Sequence, residues 1–283
     1  MDSALDKLTP VQRVAVLGLR LRALDARSDT PILGDSVSVQ VAEALGLDLS
    51  TPKIPRSVVL VHAVRARMLD RLVVRFVTDH PTAVVIDLGC GLDSRRQRCA
   101  PPPEVDWYDV DFPAITGLRE QLLPGGTHLV GTDITVPGWL GGLPRERPAM
   151  VVTDGLMALL SAESFIGTAR AMTAHFASGE LAFNAYSRLA MRNSRRVRGG
   201  PLHIAPTEGE GIDDPREPET WAAGLSLIDE HFMGRAPEVA LYPPGLRALA
   251  RVSARSTRLA RATDRVTHYR FSHQQTGDRS LSG

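Results

Sequence analysis

Apolar residues recur at helical spacing over the first part of the chain. From residue 5 to about residue 49 this pattern is interrupted at Pro10 and Pro31. Residues 57–78 predict a longer amphipathic helix. Its apolar stripe, which we interpret as core packing, comprises Val61, Val64, Met68, Leu72 and Phe76. Residues 1–80 are therefore expected to form an N-terminal helical cap.

The period changes after residue 80 to short apolar runs. Residues 83–87 read Ala-Val-Val-Ile-Asp, a continuous β-branched run typical of a strand covered on both faces. Similar runs occur at Val105–Val110, His128–Gly131, Ala149–Thr153, Glu180–Asn184, Leu225–Phe232 and Val266–Phe271. Helical patterns at 112–123 and 162–176 separate several of these runs. The alternation predicts an α/β core over residues 81–283 with a doubly wound, mostly parallel sheet.

The alternation fails over residues 185–212, which we interpret as a lid inserted after the fifth strand. Its arginines either attract an acidic aromatic substrate or form a solvated helix face: Arg188, Arg192, Arg195, Arg196 and Arg198. Asp213-Asp214-Pro215 then predicts a new helix start. A second arginine series at three- and four-residue steps predicts one solvated helix edge: Arg247, Arg251, Arg255, Arg258, Arg261 and Arg265.

Composition narrows the class of protein. The 283 residues are 43% hydrophobic, and 33 basic against 32 acidic residues leave a formal charge of +1, too small for nonspecific binding to nucleic acid or anionic membrane. No apolar run approaches the roughly 20 residues of a membrane span, and acidic residues near the N-terminus do not suit a secretory signal. Two cysteines and eight scattered histidines show no metal-ligand spacing. We expect a cytoplasmic protein without a metal, with a homodimer as an open alternative.

The first strand ends in a glycine loop, Gly89-Cys90-Gly91. Glycines directly after a strand allow a ligand to approach the backbone more closely than a Cβ would permit. A dinucleotide fingerprint needs a third glycine where Ser94 stands, which disfavours NAD. The alternative interpretation is an ordinary strand-to-helix turn. Cys90 is expected to be a small packing residue, because no neighbouring His or Lys lowers its pKa.

Carboxylates end four successive predicted strands: Asp87, Asp111, Asp133 and Asp154. Asp111 follows the glycines by about 20 residues, where a carboxylate accepts hydrogen bonds from both hydroxyls of a ribose. Any one of these residues could be an ordinary turn or capping residue. Together they indicate a binding site at the carboxyl edge of the sheet.

The sequence resembles the class I S-adenosylmethionine-dependent methyltransferases, in the leucine carboxyl methyltransferase-like group, and within it the tetracenomycin-type polyketide O-methyltransferases. The matching segments run in the family's order over nearly the whole chain: Arg65–Asp70, Asp87–Arg95, Tyr108–Pro113, Asp133 with Trp139, Thr153–Met157, Gly211–Glu217 and Tyr269–Phe271. The resemblance implies a seven-stranded Rossmann-like sheet and S-adenosylmethionine as cofactor.

The resemblance also implies roles for individual residues. Arg65, with Lys53 as a helper, would bind the methionine carboxylate of the cofactor, and Gly89 and Gly91 would pass beneath it. Asp111 would hold the ribose, and Asp133 with Ile134 would hold the adenine. Asp154 stands where the family usually has Glu, and would reach the cofactor's amino group. Ser94 stands where the family usually has Thr.

The expected reaction is O-methylation of a carboxyl or phenolic hydroxyl group on an aromatic polyketide-like small molecule. A carboxylate acceptor is already ionised near pH 7 and needs only a cation to orient it, whereas a phenol needs a base, for which we single out His203. Three alternatives remain open. The first is a protein or peptide carboxyl methyltransferase. The second is a protein that binds the cofactor and either performs no methyl transfer or catalyses a non-methyl reaction. The third is an NAD-linked oxidoreductase.

Overall fold

The N-terminal part of the chain is helical, as its periodicity predicts. A computed structural model describes residues 5–51, 53–196, 205, 207–262 and 264–272. Its first three long helices are α1 (Pro10–Ala26), α2 (Ser36–Ala44) and α3 (Arg56–Asp79). Thr9 and Gln12 form a reciprocal capping box at the start of α1, and Pro10 occupies its first turn. The expected break at Pro10 is therefore a helix start.

Seven strands form one sheet. They are β1 (Val84–Leu88), β2 (Asp106–Asp111), β3 (His128–Gly131), β4 (Ala149–Thr153), β5 (Ser178–Ala185), β6 (Leu225–Phe232) and β7 (Arg265–Ser272). Their order is β3-β2-β1-β4-β5-β7-β6. Strands β1 to β5 are parallel, and β7 runs antiparallel to both of its neighbours. This confirms the predicted mostly parallel, doubly wound α/β sheet.

Helices cover both faces of the sheet. The helices after β1 are α4 (Arg95–Cys99), α5 (Pro113–Leu122), α6 (Leu156–Leu159), α7 (Ala162–His175), α8 (Arg188–Arg196), α9 (Pro244–Ala254) and α10 (Thr257–Arg261). One core packs α3 against the sheet through the predicted stripe, including Val64, Leu72 and Phe76. The other packs α7 against the opposite face, where Phe183 stacks on Tyr269 with ring centroids 5.5 Å apart.

Two local predictions are wrong. The helix expected at Asp213–Pro215 is only a 3₁₀ turn, Glu217–Thr220, because Tyr269 binds the Pro215 carbonyl and ties the segment to the sheet. The arginine edge does not lie on one helix, since α9 ends at Ala254 and α10 starts at Thr257. Its last member, Arg265, is fully buried at the start of β7 and pairs with Glu230. The domain division at residue 80 and the lid at 185–212 stay predictions.

Candidate active site

A cavity of about 680 Å³ lies at the carboxyl edge of the parallel strands. The four strand-end carboxylates, Asp87, Asp111, Asp133 and Asp154, all line it. Ligands bind at this edge in open α/β sheets, because the loops leaving parallel strands diverge there. Helices α1 and α3 form its other side. The structure thus brings together residues that lie far apart along the chain.

The glycine loop after β1 has the backbone geometry that requires glycine. Gly89 has a φ of +67° and Gly91 a φ of +53°, which residues with a Cβ rarely adopt. Asp111 accepts hydrogen bonds from the backbone N–H of Gly91 and of Phe112, both at 2.7 Å. Burial raises the pKa of Asp111, although these two N–H donors oppose the shift. Asp111 therefore fixes the position of the loop while lining the cavity.

The loop after β3 supplies a carboxylate and an apolar side chain. Asp133 is exposed, and its Oδ1 accepts hydrogen bonds from the Thr135 backbone N–H at 2.9 Å and hydroxyl at 2.7 Å. Ile134 is half-buried, and its carbonyl accepts a hydrogen bond from the Trp139 indole at 3.2 Å. Both Asp133 and Ile134 line the cavity.

Arg65 projects from α3 into a cluster of acidic and polar groups. Its Nε lies 2.5 Å from Asp154 Oδ1, and its Nη1 donates to Asp264 at 2.8 Å and to the Tyr186 hydroxyl at 3.0 Å. Burial by itself raises the pKa of Asp154, and the neighbouring guanidinium outweighs it, so the pKa lies below its usual range. Burial raises the pKa of Asp264 despite the same guanidinium.

His62 lies one helical turn before Arg65 and also lines the cavity. Its Nδ1 is 3.1 Å from Arg65 Nη2, and it must act as acceptor because a guanidinium only donates. Burial and the adjacent Arg65 charge lower the pKa of His62 to about 3. The imidazole is therefore neutral at physiological pH.

A buried ion-pair network holds the glycine loop from behind. Arg95 is 1% exposed and contacts Asp87 at 2.9 Å, Asp70 at 3.1 Å and Asp93 at 3.4 Å. Arg98 shares two of these carboxylates, binding Asp70 at 2.8 Å and Asp93 at 2.6 Å.

The network continues into the N-terminal cap. Asp35, the N-cap of α2, accepts hydrogen bonds from Ser94 Oγ at 2.6 Å and from Arg98 Nη1 at 3.0 Å. Arg22 of α1 donates to the Leu92 carbonyl at 2.8 Å. The hydroxyl of Ser94 therefore connects the cap to the glycine loop, and Ser94 is not among the residues that line the cavity.

Some predicted site residues lie elsewhere. Lys53 is exposed and does not line the cavity. His203 and Arg198 lie outside the described residues. The face of α8 that lines the cavity carries Ala190 and Ser194.

The described arginines of α8 do not line the cavity, and whether they attract a substrate stays a prediction. Arg188 pairs with Glu217 at 2.8 Å, and Arg195 donates to the carbonyls of Glu208 and Gly209 at 2.7 and 2.6 Å. Arg192 and Arg196 are exposed. These contacts fit the alternative of a solvated helix face.

Sequence reasoning missed His62, Tyr186 and Asp264 as site residues. Asp264 directly precedes β7, and because β7 is antiparallel to β5, it starts at the edge where the parallel strands end. With the direction of β7 known, an acidic residue just before that strand would have indicated a site residue. The expectation for Cys90 holds: it is buried, and burial raises the pKa of its thiol.

The described residues contain neither a metal-ligand cluster nor a membrane-spanning helix. No group of three or more His, Cys, Asp or Glu side chains within them is arranged to hold a metal ion. None of the helices described is both long and apolar enough to cross a bilayer.

Solved structures share the fold. The plantazolicin methyltransferase BamL, in complex with S-adenosylhomocysteine, matches with a TM-score of 0.52 at 10% identity, covering 93% of this chain and 98% of BamL. The N-methyltransferase NodS from Bradyrhizobium japonicum, also in complex with S-adenosylhomocysteine, gives 0.50 at 12% identity, covering 84% and 100%. At these identities the likeness shows the fold, which is that of the class I methyltransferases.

Sequence comparison adds the family. The family model for leucine carboxyl methyltransferase matches residues 15–173. The tetracenomycin polyketide synthesis O-methyltransferase TcmP of Streptomyces glaucescens is 34% identical over 246 residues, which cover 82% of this chain and 89% of TcmP. The S-adenosyl-L-methionine-dependent methyltransferase dpfgK of Gibberella zeae is 32% identical over 257 residues, covering 82% and 86%. The chain belongs to the leucine carboxyl methyltransferase family.

The cavity residues fit S-adenosylmethionine. Arg65 Nε and Asp154 Oδ1 are buried, and they form an ion pair of two residues that both line the cavity. A donor and an acceptor of this kind match the carboxylate and the ammonium of an amino acid. Gly89 and Gly91 expose backbone to the cavity, and Asp111 and Asp133 offer acceptors for hydroxyl and amino groups.

Proposed function

We propose that the protein methylates a carboxyl or phenolic oxygen of an aromatic polyketide-like small molecule. The observation that carries this proposal is the apolar part of the cavity beyond the cofactor residues. Its walls come from α1, α3 and the C-terminal end of α6: Val11, Val14, Val58, Val61, Leu159 and Leu160. An aromatic ring system buries its faces well against such walls. The name of TcmP, a polyketide synthesis O-methyltransferase, supports the same acceptor class.

The roles of the chain's residues follow from positioning and desolvation. S-adenosylmethionine, when bound, supplies an electrophilic methyl group on a sulfonium. Arg65 would hold the carboxylate of that cofactor, and Asp111 would hold its ribose. The apolar walls would exclude water from the acceptor oxygen and orient it for in-line attack.

The two acceptor types differ in their need for a base. A carboxylate is ionised near pH 7 and requires none. A phenol has a pKa near 10 and requires a proton acceptor. His62 is poorly suited to this task, because burial and Arg65 lower its pKa to about 3. His203 remains our proposed base for a phenolic acceptor.

The test uses methyl-labelled S-adenosylmethionine with paired acceptors that share one polycyclic ring and carry either a carboxyl or a hydroxyl group. Label in an extractable product supports the proposal. Mild alkali hydrolyses a methyl ester and leaves an aryl methyl ether intact, which identifies the acceptor atom. Asp111→Ala serves as the matched variant, since it removes a cofactor contact and leaves the apolar walls unchanged.

The alternatives give different results. A mass increase of one methyl group on a protein or peptide carboxyl terminus, without transfer to the aromatic panel, would replace the proposal with protein carboxyl methylation. Binding of S-adenosylhomocysteine without any methyl transfer to either class would favour a cofactor-binding protein.

A further inference from the structure

A second cavity, of about 360 Å³, lies between the C-terminal half of α3 and the 3₁₀ turn Met233–Arg235 that follows β6. Among the described residues, none lines both this cavity and the one at the carboxyl edge of the sheet. Three arginines line the second cavity. Arg71 and Arg75 lie one turn apart on α3, and Arg235 belongs to the turn after β6. Guanidinium groups that meet at one cavity favour an anionic ligand.

The carboxylate that lines this cavity is already neutralised from outside it. Glu230 of β6 pairs with Arg261 at 2.6 Å and with the buried Arg265 at 3.0 Å, and neither of these arginines lines the cavity. Glu230 therefore does not balance the charges of the three cavity arginines.

The two arginines of α3 have carboxylate partners and keep part of their surface open. Glu238 accepts hydrogen bonds from both terminal nitrogens of Arg71. Glu180 lies 3.7 Å from Arg75 and also accepts a hydrogen bond from His268 at 2.7 Å. The side chains of Arg71 and Arg75 are 48% and 52% exposed, so both can contact a ligand as well.

Arg235 supplies a positive charge that no described carboxylate balances. It donates from Nε to the Ala254 carbonyl at 3.2 Å and from Nη2 to the Thr257 hydroxyl at 3.1 Å. Its guanidinium lies over the ring of Phe232, 4.6 Å from the ring centroid. These neutral partners hold the side chain at the cavity without cancelling its charge, so the cavity carries a positive surplus.

The remaining walls of the cavity are apolar and come from α3 and the segment around the turn: Met68, Leu72, Phe232, Ala236 and Pro237. A site with this composition suits a molecule that has an anionic group on an apolar body. A phosphate monoester carries about two negative charges near pH 7 and has three terminal oxygens. It therefore offers one oxygen to each guanidinium, whereas a carboxylate has two oxygens and one charge.

We propose that this cavity binds an organic phosphate. The phosphate lies between Arg71, Arg75 and Arg235, and the apolar part of the molecule packs against Leu72 and Phe232. The proposal does not depend on the methyl acceptor, because the cavity is separate from the candidate active site.

The experiment measures binding by calorimetry with three probes. These are 1-naphthyl phosphate, 1-naphthoate, which has a carboxylate in place of the phosphate, and inorganic phosphate, which lacks the apolar body. All titrations contain excess S-adenosylhomocysteine, so that the cofactor part of the other cavity is occupied. Wild type is compared with Arg235→Gln and Arg75→Gln. Arg251→Gln is the control, since Arg251 is an exposed arginine of α9 that does not line the cavity.

We expect saturable binding of 1-naphthyl phosphate to wild type, and weaker binding of 1-naphthoate and of inorganic phosphate. Arg235→Gln should weaken binding of 1-naphthyl phosphate by about tenfold, the scale of one charge-assisted hydrogen bond. Arg75→Gln should weaken it by several-fold, and it keeps the test decisive if Arg235→Gln does not fold. Arg251→Gln should change it by no more than about twofold.

Four results would overturn the proposal. The absence of saturable 1-naphthyl phosphate binding would remove the site. Unchanged binding in Arg235→Gln and Arg75→Gln would place the probe elsewhere on the protein. An equal loss in Arg251→Gln would show a general attraction to basic surface. Binding of 1-naphthoate as tight as that of 1-naphthyl phosphate would exclude selection for a phosphate.

Discussion

Replacing Arg95 by Met is expected to destabilise the protein through one uncompensated carboxylate. Met preserves much of the alkyl volume and removes the guanidinium, which is 1% exposed and contacts Asp70, Asp87 and Asp93. Arg98 still pairs with Asp70 and Asp93, and Arg22 still lies 3.5 Å from Asp93, so both carboxylates keep a cationic partner. Asp87 loses its close cationic partner, and its Oδ2 already makes no hydrogen bond within the described residues.

The magnitude follows from breaking a buried ion pair on one side, which costs about 3–5 kcal/mol. Because Arg98 and Arg22 together still compensate two of the three carboxylates, we expect the lower end, about 3 kcal/mol. An unfolding entropy of roughly 2.1 cal/mol/K per residue amounts to about 0.6 kcal/mol/K for 283 residues. The variant should therefore have a Tm about 5 °C below that of wild type.

The deficit should also depend on pH. Burial raises the pKa of Asp87 to about 7 even with Arg95 present, and removing the guanidinium raises it further. A carboxyl whose folded pKa exceeds its unfolded value binds more protons when folded, so its contribution to stability falls as pH rises through the folded pKa. The Arg95→Met deficit should therefore be larger at pH 8 than at pH 6.

Thermal unfolding followed by circular dichroism at pH 6 and pH 8 tests both the expected drop in Tm and its dependence on pH. Arg216→Met is the matched control, because the Arg216 side chain is 69% exposed and makes a surface pair with Glu219, for which a change of about 0–1 kcal/mol is typical. A Tm drop no larger than that of the control would refute the reasoning from the buried network. A larger deficit at pH 6 than at pH 8 would refute the assignment to Asp87.

Three further outcomes are expected. Asp111→Asn should weaken S-adenosylhomocysteine binding by about tenfold in calorimetry, because the carboxamide has one acceptor oxygen in place of the two that accept from Gly91 and Phe112; an unchanged Kd would contradict this. His62→Gln should flatten the loss of thermal stability between pH 6.5 and pH 5, since a histidine whose pKa is lowered to about 3 on folding costs stability as the pH falls, by up to about 1.4 kcal/mol per pH unit; parallel Tm curves would count against it. Cys90 and Cys99 should not react with a thiol reagent until the protein is unfolded, because burial raises both thiol pKa values, and rapid labelling of the native protein would disprove this.

Much of the fold was predictable because strand and helix periods are local properties. Residues 162–176 predicted a helix that the structure has at Ala162–His175, and all seven predicted strands are present. Carboxylates such as Asp111 and Asp154 were predictable site residues, because residues that end parallel strands meet at one edge of the sheet. The resemblance to the family added Arg65, which no periodic pattern singles out.

The sequence by itself determined where the seven strands and the long helices lie, which faces they bury, and which acidic residues end the parallel strands. Only the tertiary structure decided that β7 runs antiparallel, which brings Asp264 to Arg65 and buries Arg265 in the core. It also decided that α8 turns Ala190 and Ser194 toward the cavity. The physical reason is that periodicity reports the environment of one element, whereas strand direction and long-range ion pairs depend on which elements pack together.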